Sequence, residues 1–175
     1  MAAAGGGGGG RGGGGGGGGG GGKDQLQIPL GFARVSAGVF RSAYPARSTL
    51  PFISTLKLKS MVCLFPKDIR SDLREYLQQN DIKLLEADVG INQEPFVAMS
   101  SRAVSSVLSF VANPCNLPAL IFCTNGKVRT GCVVGCIRKM AGWSIISIIH
   151  ELEQATDADS PLDQSFIENF EIEHS

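Results

Sequence analysis

Ala119-Leu120-Ile121-Phe122-Cys123-Thr124-Asn125-Gly126-Lys127-Val128-Arg129-Thr130-Gly131 is the stretch on which the reading of this chain turns. Ala119–Phe122 is a short apolar run, the length and composition of a strand buried on both faces. From Arg129 to Met140 the pattern is helical, ending at Gly142. The loop between them therefore carries a cysteine to the mouth of a helix. Such a loop presents main-chain N–H groups that lack intrahelical partners, together with the positive end of the helix dipole. A dianionic phosphoryl group fits that cradle, and the same field stabilises a thiolate.

Each residue type in the loop suits that chemistry. Cys123 is the candidate nucleophile. Arg129 supplies planar, bidentate donors to phosphoryl oxygens, a geometry that lysine lacks. Thr130 places a hydroxyl beside the sulfur, able to donate to it as a phosphocysteine is hydrolysed. Gly126 permits the positive-φ backbone of a tight anion nest. Thr124, Asn125, Gly126, Lys127 and Val128 form the substrate-binding arc, with Lys127 placed for contact. The bare pattern of Cys, five residues and Arg is weak by itself. A second instance, Cys132 to Arg138, falls inside the helix, where Cys132 and Cys136 share a face and serve packing.

Strands and helices alternate on both sides of the loop. Val39–Ser42, closed by Tyr44-Pro45, reads as a strand, and Thr49–Leu58 as a helix with Thr49 at its N-cap. Ser60–Phe65 reads as a buried strand, Asp68–Asn80 as a helix carrying Leu73, Tyr76 and Leu77, and Ile82–Ala87 as a strand. Gly90–Pro95 has loop chemistry. Ser100 or Ser101 caps a helix to Ala112 that Asn113-Pro114 stops. Trp143–Gln154 and Leu162–Phe170 complete the helices. The class is α/β, with a central mostly parallel or mixed sheet flanked by helices.

All but one of residues 5–22 are glycine. Glycine buries no side chain and loses the most backbone entropy on ordering, so residues 1–23 are expected to be a disordered tail and residues 24–175 one domain. The 16 basic and 16 acidic residues cancel, which argues against a nucleic-acid binder relying on a broad positive field. No apolar stretch reaches the length of a membrane span, and the five cysteines are an odd number, so a reducing, cytoplasmic setting is expected. A metal site is not expected, because Cys63, Cys132 and Cys136 lack a fourth ligand at ordinary spacing. Cys115 reads as a loop residue, Arg41 and Lys67 as rim contacts, and His150 as a cap on the edge of the core.

The stretch Cys123 to Trp143 resembles the signature of the atypical dual-specificity phosphatases of plants and fungi. Gly38-Val39-Phe40-Arg41-Ser42 with Tyr44-Pro45, Leu58-Lys59-Ser60, Glu94-Pro95-Phe96-Val97 and Leu162-Asp163-Gln164 with Phe166-Ile167 are similar to further blocks of that family, in the same order. The resemblance implies a cysteine-dependent dual-specificity phosphatase fold and a phosphocysteine intermediate formed without metal or other cofactor. It also implies, as a substrate class, inositol pyrophosphates that lose their β-phosphate. This chain departs from the family at four places. Phe122 stands where the family has a histidine that hydrogen-bonds to the loop, and Asn125, Val128 and Gln93 replace Arg, His and Lys.

The related enzymes draw a general acid from a loop about thirty residues before the cysteine, where this chain offers Asp88 and Glu94. A solvated strand end for Asp88 and a turn contact for Glu94 stand beside that reading. A tyrosyl leaving group, with pKa about 10, gains from protonation, whereas a departing phosphate is a far weaker base. Three readings follow: hydrolysis of inositol pyrophosphates, hydrolysis of a phosphotyrosyl or other phosphoprotein, or a phosphate-binding scaffold that associates with related phosphatase-like proteins.

Overall fold

The computed structural model describes residues 26–95, 97–156 and 160–173; the glycine-rich tail expected over residues 1–23 lies outside the described residues. Five strands make one sheet: β1 (Ala33–Ser36), β2 (Val39–Ala43), β3 (Ser60–Cys63), β4 (Lys83–Glu86) and β5 (Ala119–Cys123). Their spatial order is β1-β2-β5-β3-β4. β2, β5, β3 and β4 run parallel, and β1 pairs antiparallel with β2 at one edge. The sheet is mixed but mostly parallel, as the alternating pattern predicts.

β5 lies at the centre and every residue in it is buried. Side chains alternate across a strand, so Ile121 and Cys123 enter one hydrophobic core while Leu120 and Phe122 enter the other. The first core lies under α3 (Ser101–Ala112), α4 (Val128–Met140), α5 (Ile145–Thr156) and α6 (Pro161–Asn169). The second lies under α1 (Leu50–Thr55) and α2 (Ser71–Gln79).

Several boundaries differ from the pattern. The first helix is shorter than Thr49–Leu58, and Thr49 does not cap it. A 3-10 turn over Arg47–Thr49 runs directly into α1, so Thr49 already has helical backbone and its hydroxyl donates to the Ala46 carbonyl at 2.8 Å. The strand expected to reach Phe65 stops at Cys63, because Pro66–Asp68 forms another 3-10 turn, and α2 begins at Ser71. Ser100 caps α3 as expected, accepting from the Ala103 amide at 3.1 Å. β1 had no signal: only Val35 in it is buried, so there is no apolar alternation to read.

α4 is the helix against which the others are fitted. Two glycines one turn apart let its backbone approach its neighbours: a Cβ at Gly131 would lie 2.7 Å from Leu152 Cδ1, and one at Gly135 would lie 2.5 Å from Ile167 Cδ1. At the far end of α4, Lys139 Nζ donates to the carbonyls of Ile167 (3.2 Å), Glu168 (2.6 Å) and Phe170 (2.9 Å), closing the C-terminus of α6. Arg138 grips Glu151 on α5 through Nε and Nη2, donates to the Val35 carbonyl, and lies 4.1 Å over the half-exposed Trp143 ring. Among the described residues no helix is long and apolar enough to cross a membrane.

Gly135→Val should lower stability by about 1–3 kcal/mol, the usual cost of overpacking a filled core. Urea unfolding followed by circular dichroism checks it, and an unchanged midpoint would mean that α6 yields freely.

Candidate active site

Cys123 ends β5 and is 1% exposed. Thr130, in the first turn of α4 and fully buried, donates its hydroxyl to Cys123 Sγ at 3.0 Å. The first intrahelical bond of α4 runs from Gly131 N to the Lys127 carbonyl at 2.6 Å. The amides of Val128, Arg129 and Thr130 precede that bond, so the sulfur sits at the end of the helix where donors outnumber acceptors. Asn125 Oδ1 accepts from Lys127 N at 3.1 Å and from the Cys123 thiol at 3.8 Å.

The loop is held from the side by β2. Gly126 has φ +69°, and a Cβ there would fall 2.5 Å from Ala43 N and 2.8 Å from Ser42 C. No side chain fits at that turn. The Gly126 carbonyl accepts from Arg41 Nη2 at 2.7 Å. Arg41 is thus a buried anchor rather than the rim contact expected of it, because β2 lies beside β5 and carries its side chain under the loop. Burial lowers its pKa from the ordinary guanidinium value, opposed by the charges of Glu151 and Cys123.

Arg129 is fixed by two contacts. Its Nε donates to the Gly90 carbonyl at 3.1 Å, and its guanidinium carbon lies 4.3 Å over the Phe65 ring. Gly90 opens a loop that is itself tied down. Asn92 Nδ2 donates to the buried Asp163 Oδ1 at 2.8 Å, while Asn92 Oδ1 accepts from Met99 N at 2.8 Å. Sequence reasoning missed Arg41, Phe65, Asn92 and Asp163 as supports. Asp163 lay in a block quoted for its family resemblance, but no spacing signals a partner in another loop.

Cavities flank the phosphate loop on two sides. One of about 530 Å³ is lined by Asn92, Gln93, Asn125, Val128, Arg129 and Asp163, and one of about 580 Å³ by Tyr44, Lys67, Ile69, Arg70 and Thr124. A third, of about 1010 Å³, lies beyond the Thr124–Lys127 arc against Arg41 and Glu151. Thr130 is brought onto the Cys123 sulfur, and Arg129 lines a cavity together with Asn125 and Val128 of the Thr124–Val128 arc. Asp88 and Glu94 are both exposed. The exposed Asp88 carboxylate accepts from Gly90 N at 3.3 Å and faces Lys67 Nζ at 3.9 Å, and Glu94 is exposed in the turn bridged by Gln93 and Val97.

Phe122 points to the opposite face of the sheet from the sulfur. It is fully buried and meets the Tyr44 ring edge-on, with centroids 5.6 Å apart. Burial raises the Cys63 pKa to about 11 and that of Cys136 to about 12, and raises that of Cys132 further, helped by Asp163. Cys115 is exposed in a 3-10 turn. His150 is exposed rather than a cap on the core, facing Gln154 at 3.5 Å. Among the described residues no group of three or more His, Cys, Asp or Glu side chains is placed to hold a metal ion.

Residues 26–175 match the tyrosine phosphatase family. The chain belongs to that family. It is 39% identical over 145 residues to inositol diphosphatase DSP1 of Oryza sativa and 38% identical over 145 residues to inositol diphosphatase SIW14 of Saccharomyces cerevisiae, each match covering 82% of this chain. It spans 65% and 52% of the lengths of those two relatives. Inositol diphosphatase DSP4 of Arabidopsis thaliana, of which it spans 73%, is 37% identical. The family resemblance read from the Cys123 to Trp143 stretch is thereby established. Among solved structures, the core catalytic domain of the S. cerevisiae PP-IP phosphatase SIW14 in complex with citrate superposes with a TM-score of 0.77 at 36% identity, over 84% of this chain and 89% of that one. Pseudomonas aeruginosa TpbA, at 21% identity over 84% of this chain and 90% of that one, shares the fold with a TM-score of 0.65.

Two outcomes follow from this geometry. Gly126→Ala should retain the far-ultraviolet spectrum yet lose at least about tenfold in tungstate affinity by calorimetry, since a strained, overfilled turn displaces the nest. Iodoacetamide at neutral pH, followed by peptide mass mapping, should modify Cys115 and leave Cys63, Cys132 and Cys136 unmodified in the folded protein.

Proposed function

We propose that this chain is a phosphatase that removes the β-phosphate of inositol pyrophosphates through a phosphocysteine. The observation that carries the reading is the Cys123 sulfur, held at the N-terminus of α4 and hydrogen-bonded by Thr130 at 3.0 Å with Arg129 fixed beside the loop. The likeness to inositol diphosphatases of plants and yeast supports the substrate class.

In the first step the Cys123 thiolate attacks the β-phosphorus in line. An S–P bond forms, the P–O bond to the α-phosphate breaks, and the inositol polyphosphate departs with the electron pair. Arg129 and the amides at the start of α4 hold the equatorial oxygens, where charge is greatest in the transition state. The departing oxygen belongs to a phosphate, a weak base, so the exposed positions of Asp88 and Glu94 are compatible with turnover. A phosphotyrosyl substrate would demand more of either carboxyl group. In the second step water attacks phosphorus, the S–P bond breaks, orthophosphate leaves and the thiolate returns. The Thr130 hydroxyl, already aimed at the sulfur, stabilises it as it leaves. Thr124, Asn125, Gly126, Lys127 and Val128 line the arc that receives the phosphoryl group.

Cys123→Ser should abolish release of orthophosphate from a diphosphoinositol polyphosphate while retaining tungstate binding. Arg129→Lys should cut kcat/KM by about 10²–10³-fold, the scale for losing an oriented donor to transition-state charge. Wild-type protein that binds the anion but never turns it over would favour a phosphate-binding scaffold. Faster turnover of a phosphotyrosyl peptide would move the substrate class to proteins.

A further inference from the structure

The phosphate loop is poor in cations for a crowded polyanion. Between Cys123 and Arg129 only Lys127 is basic, and Asn125 and Val128 are neutral. The missing charge lies on a neighbouring element. In a parallel sheet adjacent strands deliver their carboxyl ends to the same edge, and β3 runs beside β5. The chain leaving β3 passes through Phe65 and the Pro66–Asp68 turn to Arg70, the residue before α2.

Two aromatic rings organise the cations there. Phe65 carries the Arg129 guanidinium at 4.3 Å and the Lys67 ammonium at 6.0 Å, so one ring links the clamp of the phosphate loop to the rim. Tyr44 carries the Arg70 guanidinium at 4.7 Å, and its hydroxyl accepts from the Arg70 amide at 3.0 Å. Among the described residues, Tyr44, Lys67, Ile69 and Arg70 line the 580 Å³ cavity together with Thr124 of the phosphate loop. The side chains of Lys67 and Arg70 are 73% and 58% exposed, and their acidic neighbours, Asp88 and Asp72, are loose partners at 3.9 Å. Exposed pairs of that kind are weak and yield to a multiply charged ligand.

We infer that Lys67 and Arg70 are specificity-determining residues, receiving the ring phosphates of the substrate that are not cleaved while the terminal phosphate enters the Cys123 loop. The inference rests on the inositol pyrophosphate reading. It assigns to the rim the discrimination between a polyphosphate and a simple phosphate monoester, because a small monoester in the loop extends too little to span the strip. Phosphates held equally before and during bond cleavage lower KM rather than raise kcat.

The test compares the full chain with the double variant Lys67→Glu, Arg70→Glu. Reversing both charges should raise KM for a diphosphoinositol polyphosphate by about thirtyfold at low salt with kcat little changed, and alter kcat/KM for p-nitrophenyl phosphate by less than about threefold. Equal losses on both substrates, or none on either, overturn the assignment. Calorimetric titration with inositol hexakisphosphate gives a second readout that needs no turnover. Weaker binding by about thirtyfold in the double variant supports the assignment, and unchanged binding overturns it. Should the wild type fail to hydrolyse the diphosphoinositol substrate, the functional reading falls, and the calorimetry still decides whether the strip binds a ring polyphosphate.

Discussion

The turn at Gly126 lies directly on the main chain of β2, with no space for even one carbon beyond Cα. That contact shapes the rest of the site. A peptide chain leaving β5 must double back before it starts α4, and only a residue free to take a positive φ makes the turn so close to another backbone. Arg41 then holds the Gly126 carbonyl from below, fixing the orientation of the following peptide. A buried guanidinium is costly unless its donors are satisfied, and here that requirement locks the loop to the strand beside it.

The alternation of side chains along β5 does the second part of the work. With Phe122 sent to the core under α1 and α2, Cys123 must face α4, and Thr130 meets it from one turn inside that helix. Phe122 therefore lies in the opposite core, where it rests against Tyr44. Tyr44 in turn supports the Arg70 guanidinium, so the apolar packing behind the sheet extends to the cationic rim in front of it.

Charge around the site is local and unevenly fixed. Arg41 is buried, Arg129 is held by a carbonyl and an aromatic face, and Lys67 and Arg70 lie over aromatic rings with more than half of each side chain exposed. The buried and tethered cations set geometry, because their side chains have little freedom left to lose on binding. The exposed ones act over a longer range and yield to salt.

The sequence alone determined the α/β class, the buried strand at Ala119, the helix after Arg129, and the placing of Thr130 against Cys123. All of these are encoded within a few consecutive residues, where apolar runs, glycine placement and helix periodicity act directly. Tertiary structure alone decided that Arg41 lies under the loop, that Asn92 and Asp163 fasten the segment holding Arg129, that β1 exists at the edge, and that Asp88 and Glu94 stay in solvent. Those outcomes depend on which strand lies next to β5 and on hydrogen bonds between residues 71 or 85 positions apart. Local propensity has no bearing on partners that distant, since they meet only after the sheet order β1-β2-β5-β3-β4 has been fixed by burying both faces at once.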